Sequence, residues 1–184
     1  MEAEKNPWQI LSEKNIYDNN WINVTEYDVI NPNGGQGIYG KVHFKNIAVG
    51  VVPLDENYNT YLVGQYRFTI DKYSWEIPEG GCMNESSLDA AKRELLEETG
   101  LKANLWQQII EMYLSNSVTD EYCFVYVAKG LTQHTAMPES TEQLHVKKIS
   151  FTEVYEMVMQ NKITDALSIA AILKIKLLMS EGKI

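Results

Sequence analysis

The segment Gly80-Gly-Cys-Met-Asn-Glu-Ser-Ser-Leu-Asp-Ala-Ala-Lys-Arg-Glu-Leu-Leu-Glu-Glu-Thr-Gly-Leu101 decides the fold of this chain and carries its main chemical signal. Ser86 and Ser87 are favourable N-cap residues, and Gly100 suits the left-handed position that follows a helix. A helix is therefore predicted over residues 88–99. At about 100° per residue its apolar side chains share one face, which is predicted to be buried. That face consists of Leu88, Ala91 and Leu95.

Three carboxylates gather near the end of the same helix. Glu94 and Glu98 lie one turn apart, and Glu97 lies beside them. Such like charges repel by about a few tenths of a kcal/mol in water, and the helix dipole disfavours negative charge in the last turn. Because Mg²⁺ and Mn²⁺ prefer clustered carboxylate oxygens, a bound dication would relieve this repulsion. A solvated acidic face is the alternative reading of a bare Glu-x-x-Glu-Glu run.

The wider pattern around these glutamates resembles the Nudix box, whose consensus is G-x5-E-x7-R-E-U-x-E-E-x-G-U, with U an aliphatic residue. The leading glycine differs, because four residues rather than five separate Gly80 from Glu85, and Glu79 occupies the consensus position. We therefore expect an altered loop before the helix. The positions that match in register are Glu85, Arg93, Glu94, Leu95, Glu97, Glu98, Gly100 and Leu101.

The resemblance implies a role for each matched residue. Glu94 and Glu98 would be the principal metal ligands, and Glu97 would contribute directly or through water. The backbone carbonyl of Glu79 or Gly80 would complete the coordination of Mg²⁺ or Mn²⁺. The implied chemistry is attack of a metal-activated water on phosphorus, with in-line displacement that releases two phosphate monoesters. The residues implied to hold the loop and helix in place are Gly80, Gly81, Glu85, Arg93 and Gly100.

Segments outside the box resemble the ADP-ribose pyrophosphatase branch of the Nudix family. That resemblance implies hydrolysis of a nucleoside diphosphate linked to a sugar, with ADP-ribose, giving AMP and ribose 5-phosphate, as the first expectation. It also implies a homodimer in which an N-terminal β-region contacts the partner. The segments are Val49-Gly-Val-Val-Pro-Leu54, Tyr61-Leu-Val-Gly-Gln-Tyr-Arg67, Trp75-Glu-Ile-Pro-Glu-Gly-Gly81 and Ile163-Thr-Asp-Ala-Leu-Ser-Ile-Ala-Ala-Ile-Leu173.

The same branch suggests further site residues. Arg67 is a candidate phosphate contact, because a guanidinium matches phosphate oxygens bidentately. The water-activating carboxylate is expected in a late loop, where Glu142 is the first choice and Glu139 the second; Glu97 is a further catalytic candidate. Glu121 is expected to add a water-mediated metal contact. A surface arginine and solvated acids are the competing interpretations of these single residues.

Two other functions stay open from the sequence, and a third is disfavoured. The same fold could hydrolyse nucleoside triphosphates or dinucleoside polyphosphates, which the reaction products would reveal. A non-catalytic nucleotide-sugar sensor is less favoured, because such proteins usually lose a box glutamate and this chain keeps all three. An isopentenyl diphosphate isomerase would need a catalytic cysteine, and neither Cys82 nor Cys123 has the required surroundings.

The remaining pattern predicts an α+β fold, an α/β/α sandwich whose mixed sheet is flanked by helices. A buried strand is predicted over 47–54, and residues 60–68 are expected to pair back on it as a hairpin. Further helices are expected over about 152–159 and from about 164 or 165 to 179. Residues 1–45 are expected to form a small antiparallel dimerisation region, and residues 46–184 the Nudix hydrolase domain.

Composition narrows the class of partner. A net charge of −9 argues against nonspecific nucleic-acid binding, which needs a basic face. Two cysteines without a C-x-x-C motif favour a reducing compartment. No apolar run approaches the length of a membrane span. We therefore expect a cytoplasmic enzyme that acts on a small nucleotide diphosphate and contacts neither nucleic acid nor membrane.

Overall fold

The computed structural model describes residues 5–137 and 143–184. The chain divides into two compact units. The first contains the residues up to Asn46 together with Tyr113–Glu121, and the second contains Ile47–Met112 and Tyr122–Ile184. The division after residue 45 that was drawn from the sequence stays a prediction.

The first unit is built on a three-stranded antiparallel sheet in the order β1-β2-β3. Its strands are β1 (Gln9–Asp18), β2 (Ile22–Ile30) and β3 (Gln36–Phe44). Asn31 organises the turn between β2 and β3, because its side-chain oxygen accepts hydrogen bonds from the amides of Asn33 and Gly35. Gly34 has a φ of 85° in this turn, a conformation that glycine adopts without strain.

Strand β1 was not predicted from the sequence. Its residues do not alternate regularly, and its pairing with β2 shifts register between Ile10 and Ser12 and again between Asn15 and Tyr17. A bulge places an extra residue in one strand and so reverses the faces of the side chains that follow. The period of two that identifies a strand in a sequence is therefore lost in β1.

The segment Tyr113–Glu121 packs on β3 within the first unit. The amide of Val42 donates to the carbonyl of Val118, and the amide of Asp120 donates to the carbonyl of Val42. The Asp120 carboxylate accepts from Lys41, His43 and the amide of Phe44. Burial opposes ionisation of Asp120, but these hydrogen bonds outweigh it and lower the pKa to about 2.

The second unit contains two sheets. One is four-stranded in the order β7-β4-β9-β8, with β4 parallel to β9, and the other is three-stranded in the order β10-β5-β6. The strands are β4 (Ile47–Pro53), β5 (Asn59–Arg67), β6 (Lys72–Glu76), β7 (Glu79–Cys82), β8 (Leu101–Tyr113), β9 (Tyr122–Gln133) and β10 (His145–Ser150).

The hairpin expected between the buried strand at 47–54 and residues 60–68 is wrong. Strand β4 pairs with β7 and β9, whereas β5 pairs with β6 and β10 in the other sheet. The turn after β4 is as expected, since Asp55 accepts from the amides of Asn57 and Asn59. The residues on both sides of this turn are apolar, and such a pattern does not reveal which sheet each strand joins.

Three helices complete the second unit. They are α1 (Ser87–Thr99), α2 (Phe151–Met159) and α3 (Ala166–Ser180). The expected residues bound α1 at both ends. The Ser86 hydroxyl caps its N-terminus by accepting from the amide of Asp89, and Gly100 follows its last turn with a φ of 70°. Ser150 caps α2 and Asp165 caps α3 in the same way. Strands and helices together confirm the predicted α+β class.

The buried face of α1 packs on β4, β7, β8 and β9. Ala91 and Leu95 are fully buried there as predicted, and Leu88 is partly buried at the margin. This packing fixes the adjoining acidic side of α1 against the start of β7. The buried members of the cluster are Val49, Val51, Cys82, Ala90, Ala91, Leu95, Leu101, Tyr126 and Ala128.

Helix α3 approaches β4 closely at Gly50. A methyl group at residue 50 would lie 2.4 Å from Leu167 Cδ2 and 2.9 Å from Ile77 Cδ1. The Ser168 hydroxyl, on the same helix, accepts from the amide of Ile77. Gly50 therefore allows the N-terminus of α3 to lie beside the end of β6. Among the described residues, none of the helices combines the length and apolar character needed to cross a bilayer.

We predict that Gly50→Ala lowers the free energy of unfolding by about 1–3 kcal/mol, because the added methyl overpacks the contact with Leu167. Chemical denaturation measures the change. Gly40→Ala in β3 is the control, since its added methyl meets no atom within 4 Å. Equal stability of the two variants would contradict the close approach of α3 to β4.

Candidate metal and diphosphate site

The C-terminal half of α1 brings three glutamates and one arginine together. Arg93 Nη1 donates to Glu94 Oε1 at 2.8 Å and to Glu97 Oε2 at 2.9 Å. Glu97 is one turn beyond Arg93, which places its carboxylate on the same side. Glu94, Glu97 and Glu98 were all predicted from their spacing to share this end of the helix.

Arg93 also ties the helix to the preceding loop. Its Nε and Nη2 donate to Glu85 Oε1 at 3.1 and 2.8 Å, and Nη2 donates to the carbonyl of Gly81 at 2.8 Å. Burial opposes the charge of Arg93, but hydrogen bonds to Glu85 and Glu94 raise its pKa above the ordinary value. The guanidinium therefore stays protonated and fixes the loop against α1.

Glu98 faces the start of β7 and is almost completely buried, with 3% of its surface exposed. Its Oε2 accepts from the amide of Glu79 at 3.0 Å. The Glu94 carboxylate lies against Gly80, where a methyl group would come within 2.5 Å of all three carboxyl atoms. Gly80 thus lets the carboxylate of Glu94 approach the loop backbone directly. It does so although Gly80 lies one residue later than the position of the consensus glycine, which Glu79 occupies.

The donor set suits a divalent cation. It consists of carboxylate oxygens close to backbone carbonyls, and hard cations such as Mg²⁺ or Mn²⁺ prefer oxygen ligands. If all are ionised, four carboxylates and one guanidinium leave a net charge of −3 in this group. Additional positive charge is therefore favoured here. The four carboxylates are those of Glu85, Glu94, Glu97 and Glu98.

A second charged group lies beside the first, at the ends of β5, β6 and β7. Arg67 Nε donates to both oxygens of Glu76 at 3.0 Å, and Nη2 donates to Glu79 Oε1 at 2.8 Å. Asp165 joins them, since one carboxylate oxygen from each of Glu76, Glu79 and Asp165 lies within 4.8 Å of the others. Because Arg67 already supplies positive charge to this second group, we assign no metal to the group.

Glu79 connects the two groups. Its amide holds Glu98, and its side chain points to Arg67. Burial, followed by the charges of Asp165 and Glu76, raises the pKa of the Glu79 carboxyl well above its ordinary value, and Arg67 acts in the opposite direction. The Glu79 Oε2 atom is buried and has no hydrogen-bond partner among the described residues.

The remaining predicted residues are placed as follows. Glu121 belongs to the first unit, where its carbonyl accepts from the amide of Leu114 and its amide donates to Thr119. Glu139 and Glu142 lie outside the described residues. Gly100 ends α1, and Gly81 offers its carbonyl to Arg93.

Glu76 and Asp165 were not selected from the sequence. Glu76 lies in a short extended segment before Pro78, and Asp165 looked only like a helix cap, which it also is. Glu76 and Asp165 lie far apart in the sequence, so only the fold brings both of them to Arg67. The available signal was that both residues lie in segments that resemble the ADP-ribose pyrophosphatase branch, residues 75–81 and 163–173.

Comparison with known families and proteins agrees with this geometry. Residues 44–168 match the NUDIX domain, and residues 8–42 match the nucleoside diphosphate sugar hydrolase N-terminal domain. A crystal structure of an ADP compounds hydrolase superposes with a TM-score of 0.86 at 20% identity, covering 100% of both chains. This superposition supports the fold alone.

Curated relatives are similar over most of the chain. The ADP-ribose pyrophosphatase of Mycobacterium tuberculosis is 32% identical over 70% of this chain and 64% of its own length. The methanol dehydrogenase activator of Bacillus methanolicus is 27% identical, and the ADP-ribose pyrophosphatase of Bacillus subtilis is 26% identical; each match covers 88% of this chain and 89% of the relative. The chain thus spans just under two thirds of the Mycobacterium protein.

We predict that Glu94→Gln weakens Mn²⁺ binding by about tenfold or more, because a charged ligand is replaced by a neutral one. Isothermal titration of the protein with MnCl₂ measures the affinity. Glu156→Gln, which changes an exposed glutamate of α2, is the matched control and should leave it unchanged. Equal affinities for the two variants would argue against the assignment of the metal to α1.

Proposed function

The chain belongs to the NUDIX domain family, and from that premise we propose that it is a metal-dependent hydrolase of a nucleoside diphosphate linked to a sugar. The substrate we propose first is ADP-ribose. Addition of water across its diphosphate bond gives AMP and ribose 5-phosphate. The observation that carries the proposal is the group of carboxylates that Arg93 holds at the end of α1, next to the loop backbone.

The substrate class is supported by similarity. Two of the relatives are named ADP-ribose pyrophosphatase, and residues 8–42 match an N-terminal domain named for nucleoside diphosphate sugar hydrolases. The charge of the site agrees with this class only if a cation is present, because a diphosphate would otherwise meet an acidic surface. The metal we propose is Mg²⁺ or Mn²⁺.

We assign the work of the reaction to named residues. Glu94 and Glu98 would hold the metal, and Glu97 would contact it directly or through water. A bound dication would neutralise the diphosphate and lower the pKa of a coordinated water. Arg93 holds Glu94, Glu97 and the loop in one arrangement, and the amide of Glu79 holds Glu98, so that little reorganisation is needed when the substrate binds. The backbone carbonyl of Glu79 or Gly80 is the proposed fourth ligand.

Three further roles rest on the resemblance to the ADP-ribose pyrophosphatase branch. Arg67 is proposed to contact a phosphate, and its side chain is about one-third exposed at the end of β5. Glu142, with Glu139 as the alternative, is proposed to accept the proton of the attacking water. Glu121 is proposed to contact the metal through water. The cytoplasm is the proposed compartment.

We also propose that the chain acts as a homodimer through residues 1–45, with residues 46–184 as the catalytic domain. Every described residue of β1 is exposed in a single chain. Several of these side chains are large and apolar, and burial of such a surface against a second copy would be favourable. They are Ile10, Leu11, Ile16 and Tyr17, and Trp21 and Ile38 extend the same unit's exposed apolar surface.

We predict that the wild-type protein with Mg²⁺ converts ADP-ribose to AMP and ribose 5-phosphate, and that Glu98→Gln lowers kcat by about two orders of magnitude or more. Chromatography of the products from a panel of ADP-ribose, other NDP-sugars, dinucleoside polyphosphates and nucleoside triphosphates measures both. Glu156→Gln should retain full activity. Release of inorganic pyrophosphate from a nucleoside triphosphate as the main reaction would instead support the alternative substrate class.

We predict that Leu11→Glu shifts the protein from dimer to monomer, because a charge on the exposed face of β1 would have to be desolvated in the interface. Light scattering after size exclusion measures the mass. Leu173→Glu, at a partly exposed leucine of α3, is the control and should remain dimeric. A monomeric wild-type protein at micromolar concentration would contradict the proposed dimer.

A further inference from the structure

Arg67 is held by two carboxylates in two different ways. Glu76 engages the guanidinium with both oxygens, one shared between Nε and Nη2. Glu79 engages it with Oε1 alone, at Nη2. Within residues 5–137 and 143–184, Nη1 of Arg67 makes no hydrogen bond, and the side chain as a whole is about one-third exposed.

The contact with Glu76 has the geometry of a positioning interaction. Glu76 is 97% buried, and a planar fork bound along one edge leaves the guanidinium one orientation. Arg67 and Glu76 lie on neighbouring strands, where β5 and β6 pair from Val63↔Glu76 to Arg67↔Lys72. The pair is therefore built into the sheet rather than formed by two mobile surface side chains.

The contact with Glu79 has a different character. Glu76 already balances the charge of Arg67, so any ionisation of Glu79 or Asp165 adds negative charge that no further cation of this group balances. Glu79 leaves its second oxygen buried without a partner among the described residues. It also occupies Nη2, a donor that a phosphate oxygen would need for bidentate binding. Glu79 thus stands where a diphosphate would compete with it.

We propose that these two carboxylates act on substrate binding in opposite directions: Glu76 positions Arg67 for a phosphate of the substrate, whereas Glu79 competes with that phosphate for Arg67. The inference rests on the proposed function and adds two residues that set its affinity. Binding of the diphosphate transfers one N–H of Nη2 of Arg67 from Glu79 to a phosphate oxygen, while the bonds of Nε and Nη2 to Glu76 persist. No covalent bond changes in this exchange.

The two residues consequently differ in the sign of their effect. Removal of the Glu79 side chain frees one N–H of Nη2 in the unbound protein, while Glu76 keeps the other, so less interaction is lost when the diphosphate binds. Removal of the Glu76 charge loosens the guanidinium and leaves its orientation to be fixed during binding, which weakens affinity. A role in stability alone would not give opposite signs, because loss of either contact would disturb the same arginine.

The test is calorimetric titration with α,β-methylene ADP-ribose in the presence of Mg²⁺, which measures affinity without turnover. Glu79→Ala should tighten binding by about fivefold. Glu76→Gln should weaken it by about tenfold or more, with Glu76→Asp intermediate because it keeps the charge. Glu79→Ala keeps the backbone carbonyl and amide of residue 79. Glu156→Ala on α2 is the matched control and should leave affinity unchanged.

A second comparison shows whether Glu79 acts through Arg67. In an Arg67→Ala background, Glu79→Ala should change affinity less than twofold. A fivefold gain that persists there, or a change in the same direction for Glu76→Gln and Glu79→Ala, overturns the proposal. If Glu76→Gln does not fold, Glu76→Asp shows whether a change at residue 76 weakens or tightens binding of the analogue.

The outcome is separable from that of the proposed function. Turnover of ADP-ribose by the wild-type protein tests the proposed function. The ratio of each variant's affinity to that of the wild type tests the roles of Glu76 and Glu79. If the wild-type protein does not bind the analogue, the same ratios are measured with inorganic pyrophosphate, which presents the diphosphate alone. With either ligand, the inference is supported if the Glu76 and Glu79 variants change affinity in opposite directions, and it is overturned if they change affinity in the same direction.

Discussion

Repulsion among carboxylates at the end of α1 is the constraint on which the rest of the site depends. Glu94, Glu97 and Glu98 share one side of a helix whose dipole also disfavours negative charge at this end. Arg93 joins two of them to the preceding loop, and the amide of Glu79 holds the third. These contacts keep the glutamates together while leaving the group negative, which favours the proposed binding of a hard dication.

The fold supplies this arrangement by fixing both sides of the loop. Burial of Ala91 and Leu95 on the four-stranded sheet sets the rotation of α1 about its axis, and therefore the direction of its glutamates. Gly80 removes the side chain that would otherwise separate Glu94 from the loop backbone. Arg67 is held among three acids beside the start of β7, so a diphosphate would encounter the proposed metal-binding group and an arginine within one connected network.

The sequence allowed α1, its caps and its carboxylates to be predicted, because their spacing follows from helical geometry alone. It did not reveal that β4 and β5 join different sheets, since two apolar runs around a turn look the same in either case. It also missed Glu76 and Asp165, which lie far apart in the chain and meet at Arg67 only after the strands and α3 are packed. Local periodicity identifies residues on one element, whereas a site built from several elements requires the fold.

The most direct test of the central claim is anomalous diffraction from crystals of the protein soaked in MnCl₂. We predict an anomalous peak within coordination distance, about 2.0–2.6 Å, of carboxylate oxygens of Glu94 and Glu98. Full occupancy of manganese elsewhere, with no anomalous signal at the end of α1 even when a diphosphate analogue is bound, would contradict the account.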